Sequence, residues 1–131
     1  MIGLDTNVLV RYITQDDPVQ SPKATEILER RLNATNPGFI SIVTIAEVAW
    51  VLDRAYGFST SEVAAAIERI LQTETLVVQS EQAVFAAMIH LKHDGSAFAD
   101  ALIAELGTEA GCSHTLTFDR KALRLATFKL V

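Results

Sequence analysis

The chain is poor in the residues that mark several protein classes: one cysteine, three prolines and six glycines among 131 residues. The lone Cys112 rules out an internal disulfide and points to a reducing, cytoplasmic setting. So few prolines and glycines leave no low-complexity stretch, no internal repeat and no linker able to divide the chain. No apolar run approaches the roughly 20 residues that a membrane helix needs. A secretory leader is also missing, because no basic region precedes an apolar core and Asp5 interrupts the first run. Phosphate-cradling glycine motifs and the nucleophile-elbow motif are absent. Positive charge is scarce too, with 11 Lys and Arg against 16 Asp and Glu, a net charge of −5. Taken in bulk, that balance counts against nucleic-acid binding. It decides little if four acids belong to a metal site, since 12 acids would then face 11 bases.

What is present suits one compact domain over residues 1–131, half of them hydrophobic, with a mean hydropathy of +0.26. Residues 1–4 read as a short buried strand ending at Asp5, and Thr6 or Asn7 can cap a helix through Ile13. Ser21-Pro22 signals another helix start, and Asn33 to Gly38 a turn before the strand Phe39-Ile40-Ser41. Thr44-Ile45-Ala46-Glu47 fits a capping box, as does Ser59-Thr60-Ser61-Glu62. Leu76-Val77-Val78 follows as a strand, then a helix from Glu81 to His93, and another from near Asp100 to before Gly111. Thr115 to Phe118 is a strand, Arg120 to Leu125 a short helix, and Phe128 to Val131 an edge strand. Short β-rich runs alternating with helices predict a three-layer α/β/α fold. Its central, mostly parallel sheet has four to five strands with helices on both faces.

Four carboxylates sit where apolar residues crowd them in sequence: Asp5, Glu47, Asp100 and Asp119. An ionised carboxylate in apolar company is costly unless something cationic compensates it. Asp5 and Asp119 each follow a strand, the place where open α/β sheets bind ligands, and Glu47 and Asp100 fall in or near first helical turns. Each also has a purely structural explanation. Asp5 and Asp119 can serve as helix caps, and Glu47 as the closing residue of its capping box. Asp100 is hardest to explain that way, because positions 96, 97, 103 and 104 offer no basic partner. A shared divalent ion would account for all four. All-oxygen ligation favours Mg²⁺ or Mn²⁺ over zinc, and carboxylates around such an ion are an apparatus for phosphodiester hydrolysis. His90, His93 and His114 lack the spacing of a zinc site, and Cys112 near His114 reads as packing.

The runs Gly3-Leu4-Asp5-Thr6-Asn7-Val8-Leu9, Ser41 to Val48, Phe98 to Ala104 and Leu116-Thr117-Phe118-Asp119-Arg120 resemble the PIN-domain ribonucleases. Within them the likeness is to the VapC-type toxins of bacterial toxin–antitoxin pairs. Their order, with 42, 53 and 19 positions separating successive acids, carries the resemblance over essentially the whole chain. It implies an endoribonuclease using Mg²⁺ or Mn²⁺ and leaving a 5′-phosphate. Asp5, Glu47 and Asp100 would hold the metal, and Asp119 would complete the set directly or through water. Thr6, Asn7 and Thr117 fall on small polar positions that orient the acids and the attacking water. The resemblance further implies a homodimer, an antitoxin covering the acidic cleft, and a transfer or ribosomal RNA substrate cut at single-stranded loops. Arg11, Arg120 and Lys121 are candidates for holding RNA phosphates, with generic solvated charges as the competing reading.

Two other classes stay open at this level. A receiver or phosphatase-like phosphoryl-handling domain shares an acid at the first strand end. The phosphatase pattern wants a second Asp where Asn7 stands, however, and the receiver pattern is not apparent. A non-catalytic module with an acidic cleft for a basic peptide is the third.

Overall fold

The computed structural model describes residues 1–131 in two compact units, Met1–Glu81 and Gln82–Val131. The first unit contains a parallel sheet in the order β1 (Ile2–Gly3), β2 (Gly38–Ile40), β3 (Leu76–Val78). Its helices are α1 (Thr6–Thr14), α2 (Gln20–Glu26), α3 (Ile42–Arg54) and α4 (Thr60–Gln72). A π-helical stretch, Ile27–Arg31, prolongs α2 and ends where Leu32 N–H donates back to Ile27 O. The second unit contains nearly all of α5 (Glu81–Asp94), then α6 (Phe98–Glu109) and the parallel pair β4 (Thr115–Thr117) and β5 (Phe128–Leu130). A 3₁₀ turn, Arg120–Arg124, joins that pair. The protein is therefore α/β with six α-helices and five strands, and every strand pairing is parallel. Hydrogen bonding groups the strands as three and two. No helix is long and apolar enough to cross a membrane.

Helical periodicity accounts for the cores. On α3, Ile45, Val48, Ala49 and Leu52 form one buried stripe, and on α4 Val63, Ala64, Ala66, Ile67 and Ile70 form another. Ser59 and Glu62 make the reciprocal capping box that opens α4. In the second unit, Val84, Ala87, Met88 and Ala101 are wholly buried.

Two helix starts differ from expectation. Thr44 does not cap α3. Ser41 does, accepting from Thr44 N–H at 3.2 Å, so the helix opens three residues earlier and Glu47 lies in its second turn. Ser21 does not cap α2 either. Its hydroxyl donates to Arg11 O, and Asp17 instead accepts from Val19 and Gln20 N–H at 2.9 and 2.7 Å. In both cases an acceptor a few residues upstream reached the free amides first.

Gly38 sits between β1 and β3, where an added Cβ would come within 2.8 Å of Leu4 Cδ1, 2.9 Å of Leu32 Cδ1 and 3.1 Å of Leu76 Cδ2. Gly38→Val should therefore cost about 1–3 kcal/mol through overpacking. Denaturant unfolding checks this: an unchanged midpoint would mean that the three leucine tips move aside freely.

Candidate functional site

At the carboxyl end of β1 the chain turns into α1 through Asp5, whose extended backbone and Oδ1, accepting from Val8 N–H at 3.2 Å, make it the N-cap. Asp5 thus takes the capping role expected of Thr6 or Asn7. The Thr6 side chain turns inward, 7% exposed, and its hydroxyl donates a short hydrogen bond to Glu47 Oε1. β2 ends at the same edge of the sheet and leads through Ser41 into α3, which carries Glu47. Gln79, just after β3, accepts from Ile42 N–H at 3.0 Å and holds the start of α3 in place. Parallel pairing thus brings Asp5, Thr6 and Glu47 to one sheet edge, with Asn7 exposed in the first turn of α1.

In the second unit, Asp100 is the acid in the first turn of α6, half-exposed, beneath an N-cap, Ala97, that supplies no side-chain acceptor. A carboxylate there is favoured by the helix dipole. Asp119 caps the 3₁₀ turn, its Oδ1 accepting from Lys121 N–H at 2.9 Å. Its own N–H donates to Thr117 Oγ1 at 2.9 Å, so those two candidates form one small motif.

The burial inferred from sequence is corrected. Asp5, Glu47 and Asp119 are exposed and only Asp100 is partly covered. Their apolar sequence neighbours point elsewhere, because side chains on a helix fan around the axis and Glu47 lies off the buried stripe of α3. These acids have few protein donors: Asp5, Glu47 and Asp119 have one each, and Asp100 has none. Asp16, Asp17 and Asp94 are saturated by comparison. Asp16 alone accepts from Tyr56, Thr14 and Arg11. Each candidate acid keeps at least one carboxylate oxygen for an external partner. The donor set is all oxygen, which fits a hard divalent cation. No group of three or more His, Cys, Asp or Glu side chains is gathered to hold one.

Among the basic candidates, Arg11 is engaged within the fold. Its Nε donates to Gln20 Oε1 at 2.8 Å, and its Nη1 donates to Asp16 Oδ2 and the Tyr56 hydroxyl, both at 3.0 Å. That network ties the end of α1 to α2 and to the turn after α3, so a phosphate-holding role for Arg11 loses its support. Arg120 and Lys121 are exposed and form no ion pair.

A second polar cluster was not foreseen. His90 Nδ1 lies 3.0 Å from Asp94 Oδ2, and its Nε2 lies 3.5 Å from Glu105 Oε1. Asp94 Oδ1 also accepts from Ser96 N–H and hydroxyl. The four-residue spacing of His90 and Asp94 was the available signal, whereas Glu105 comes from another helix. Hydrogen bonds from His90 and then Ser96 hold the Asp94 carboxyl down to about 2.

The Asp16 network generates a pH prediction. Hydrogen bonds from Tyr56, Thr14 and Arg11 hold its carboxyl at about 2, below the ordinary value near 4. A carboxyl more acidic in the folded than in the unfolded state contributes fully above about pH 4. It loses that contribution as pH falls toward about 2. Asp16→Asn should accordingly flatten the fall in stability over that interval, as read by melting temperature against pH. A variant with the wild-type slope would show that Asp16 does not drive it.

The family profile of the PIN domain matches residues 2–127 of this chain. Comparison with curated proteins finds no significant match.

Proposed function

The chain belongs to the PIN domain family, generally a fold of metal-dependent nucleases, and on that premise we propose that it is an endoribonuclease and the toxin of a toxin–antitoxin pair. The observation that carries the reading is the Asp5–Thr6–Glu47 arrangement at the end of parallel strands, an exposed carboxylate followed in the chain by a buried threonine that hydrogen-bonds a second exposed carboxylate. PIN domain nucleases typically use divalent metals. In this reading Asp5, Glu47 and Asp100 would hold Mg²⁺ or Mn²⁺, with Asp119 completing the set. Bound there, the ion would supply Lewis-acid polarisation of the phosphoryl oxygen and a more acidic water.

The chain's own contribution is orientation. Thr6 fixes one oxygen of Glu47 and leaves the other free. The amide of Val8 does the same for Asp5, and Lys121 N–H for Asp119. Thr117 steadies the backbone beside Asp119. Asn7, exposed in the first turn of α1, would orient a water or a substrate oxygen. The profile spans both compact units, which supports reading residues 1–131 as one PIN-like domain. A homodimer, a cognate antitoxin, a transfer or ribosomal RNA substrate and a cytoplasmic setting belong to the same proposal.

Two measurements test it. RNA cleavage should require Mg²⁺ or Mn²⁺ and should fall by about two orders of magnitude or more in Asp5→Asn and Asp100→Asn, which lose several kcal/mol of metal-derived stabilisation. Full activity in excess EDTA, or in Asp100→Asn, would overturn the reading. Mn²⁺ should also raise the melting temperature of the wild type, because a ligand bound only by the folded state stabilises it. Glu47→Gln should shrink that rise.

A further inference from the structure

The last 20 residues differ in charge from the rest. Residues 112–131 contain Arg120, Lys121, Arg124 and Lys129 against the single acid Asp119, in a chain whose net charge is −5. At the head of this basic stretch stands Phe118, 84% exposed, more than any other large hydrophobic residue in the protein. Leu116, two residues earlier on β4, is 63% exposed, while Thr115 and Thr117 are partly covered. A ring left in water forgoes the burial that usually puts phenylalanine in a core.

The ring is nevertheless held on a fixed backbone. On one side β4 pairs with β5, and Asp119 N–H donates back to Thr117 Oγ1. On the other, Asp119 caps the 3₁₀ turn through Lys121 N–H. Arg120 and Lys121 extend from that turn with no ion pair, whereas Arg124 Nη1 is engaged by Asp94 O. An exposed aromatic face beside unpaired cations suits single-stranded nucleic acid, whose bases offer a stacking face and whose phosphates offer charge. Duplex RNA hides its base faces. A second copy of this chain, docked symmetrically on Phe118, would set Arg120 and Lys121 against their own counterparts.

We propose that Phe118 is a stacking platform for an unpaired base of single-stranded RNA, with Arg120 and Lys121 holding the phosphates that flank it. The proposal rests on the ribonuclease reading for its substrate class and adds to it the side chain that would grip an unpaired base. Its test is binding, measured by fluorescence anisotropy of a short unstructured RNA with the full chain in EDTA, where the proposed nuclease activity is silent. Phe118→Ala should weaken binding by about tenfold, the scale of one base–aromatic stack, and Phe118→Trp should retain it. The weak binding of the same strand annealed to its complement should not change. Arg120→Ala with Lys121→Ala should reduce the slope of log affinity against log salt by ~0.7 for each phosphate that is no longer neutralised.

Circular dichroism of Phe118→Ala should match wild type, since the ring lies outside the core. A Phe118→Ala protein that binds the single strand as wild type does would overturn the proposal. So would dissociation of a wild-type dimer by that substitution with RNA affinity unchanged, which would assign the face to a second copy. If the wild type binds through Phe118 yet cuts no RNA with any divalent ion, the ribonuclease reading fails alone. If it cuts RNA and Phe118→Ala binds and cuts equally well, this inference fails alone.

Discussion

The architecture of the first unit hangs on how closely β2 is held between its two parallel neighbours. Gly38 lies opposite Ile2 on one side and Leu76 on the other, and three leucine tips occupy the space that a side chain would need. That close approach sets the register of all three strands, and register decides which residues emerge at the carboxyl edge. Leu4 N–H donates to Phe39 O and Gln79 N–H to Ile40 O, so all three strands reach that edge in step. From there Asp5 caps α1, Ser41 caps α3 and Gln79 takes the first amide of α3. A one-residue slip would bury Asp5 or withdraw Thr6 from Glu47.

The same geometry explains why the candidate acids are exposed without being idle. A carboxylate serving only the fold collects donors until its lone pairs are filled, as Asp16 does from three side chains and Asp94 from two residues. Asp5 and Glu47 each stop at one donor, and that donor comes from the local turn or from the neighbouring helix. Poverty of donors alone marks nothing, because solvated surface acids share it. Combined with placement at the end of a parallel strand, it leaves a carboxylate oriented by the protein but not consumed by it. That is the state a metal ligand or a water-orienting base requires.

Much of this was legible from local patterns, and the misses follow physical lines. The box at Ser59 and Glu62 and the helix from Glu81 depend on interactions within a few residues, the strand Leu76-Val77-Val78 announces itself by its local apolar run, and all are present. Thr44 to Glu47 matched the capping-box pattern equally well. Ser41, three residues upstream and at the strand end, took the Thr44 amide instead. That left Glu47 without a capping role and strengthened its candidacy for the site. The apolar neighbours of Glu47 and Asp5 suggest burial, yet both acids are exposed, because neighbours in the chain are not neighbours in space. Arg11 was unreadable for a different reason: Tyr56 lies 45 positions away, and only the packed fold brings its hydroxyl to the guanidinium. Non-local polar networks leave no periodic trace, so sequence patterns overestimate the number of free charges.

Charge distribution resolves the tension between an acidic protein and the anionic substrate proposed for it. Net charge acts on partners at a distance, where salt of physiological strength screens it within about 8 Å. Close binding is governed by the charges within that radius, and there the paired and unpaired groups must be counted separately. Arg11 is neutralised by Asp16, while Arg120 and Lys121 stand unpaired in a segment with one acid, itself turned to a backbone amide. An acidic remainder then has a use. It would make non-specific adhesion to duplex nucleic acid unfavourable, so that under the proposed reading productive binding would depend on a partner that also offers an exposed base face. In such a protein selectivity for unpaired RNA would arise from weak overall attraction combined with one strong local anchor, not from an extended basic surface.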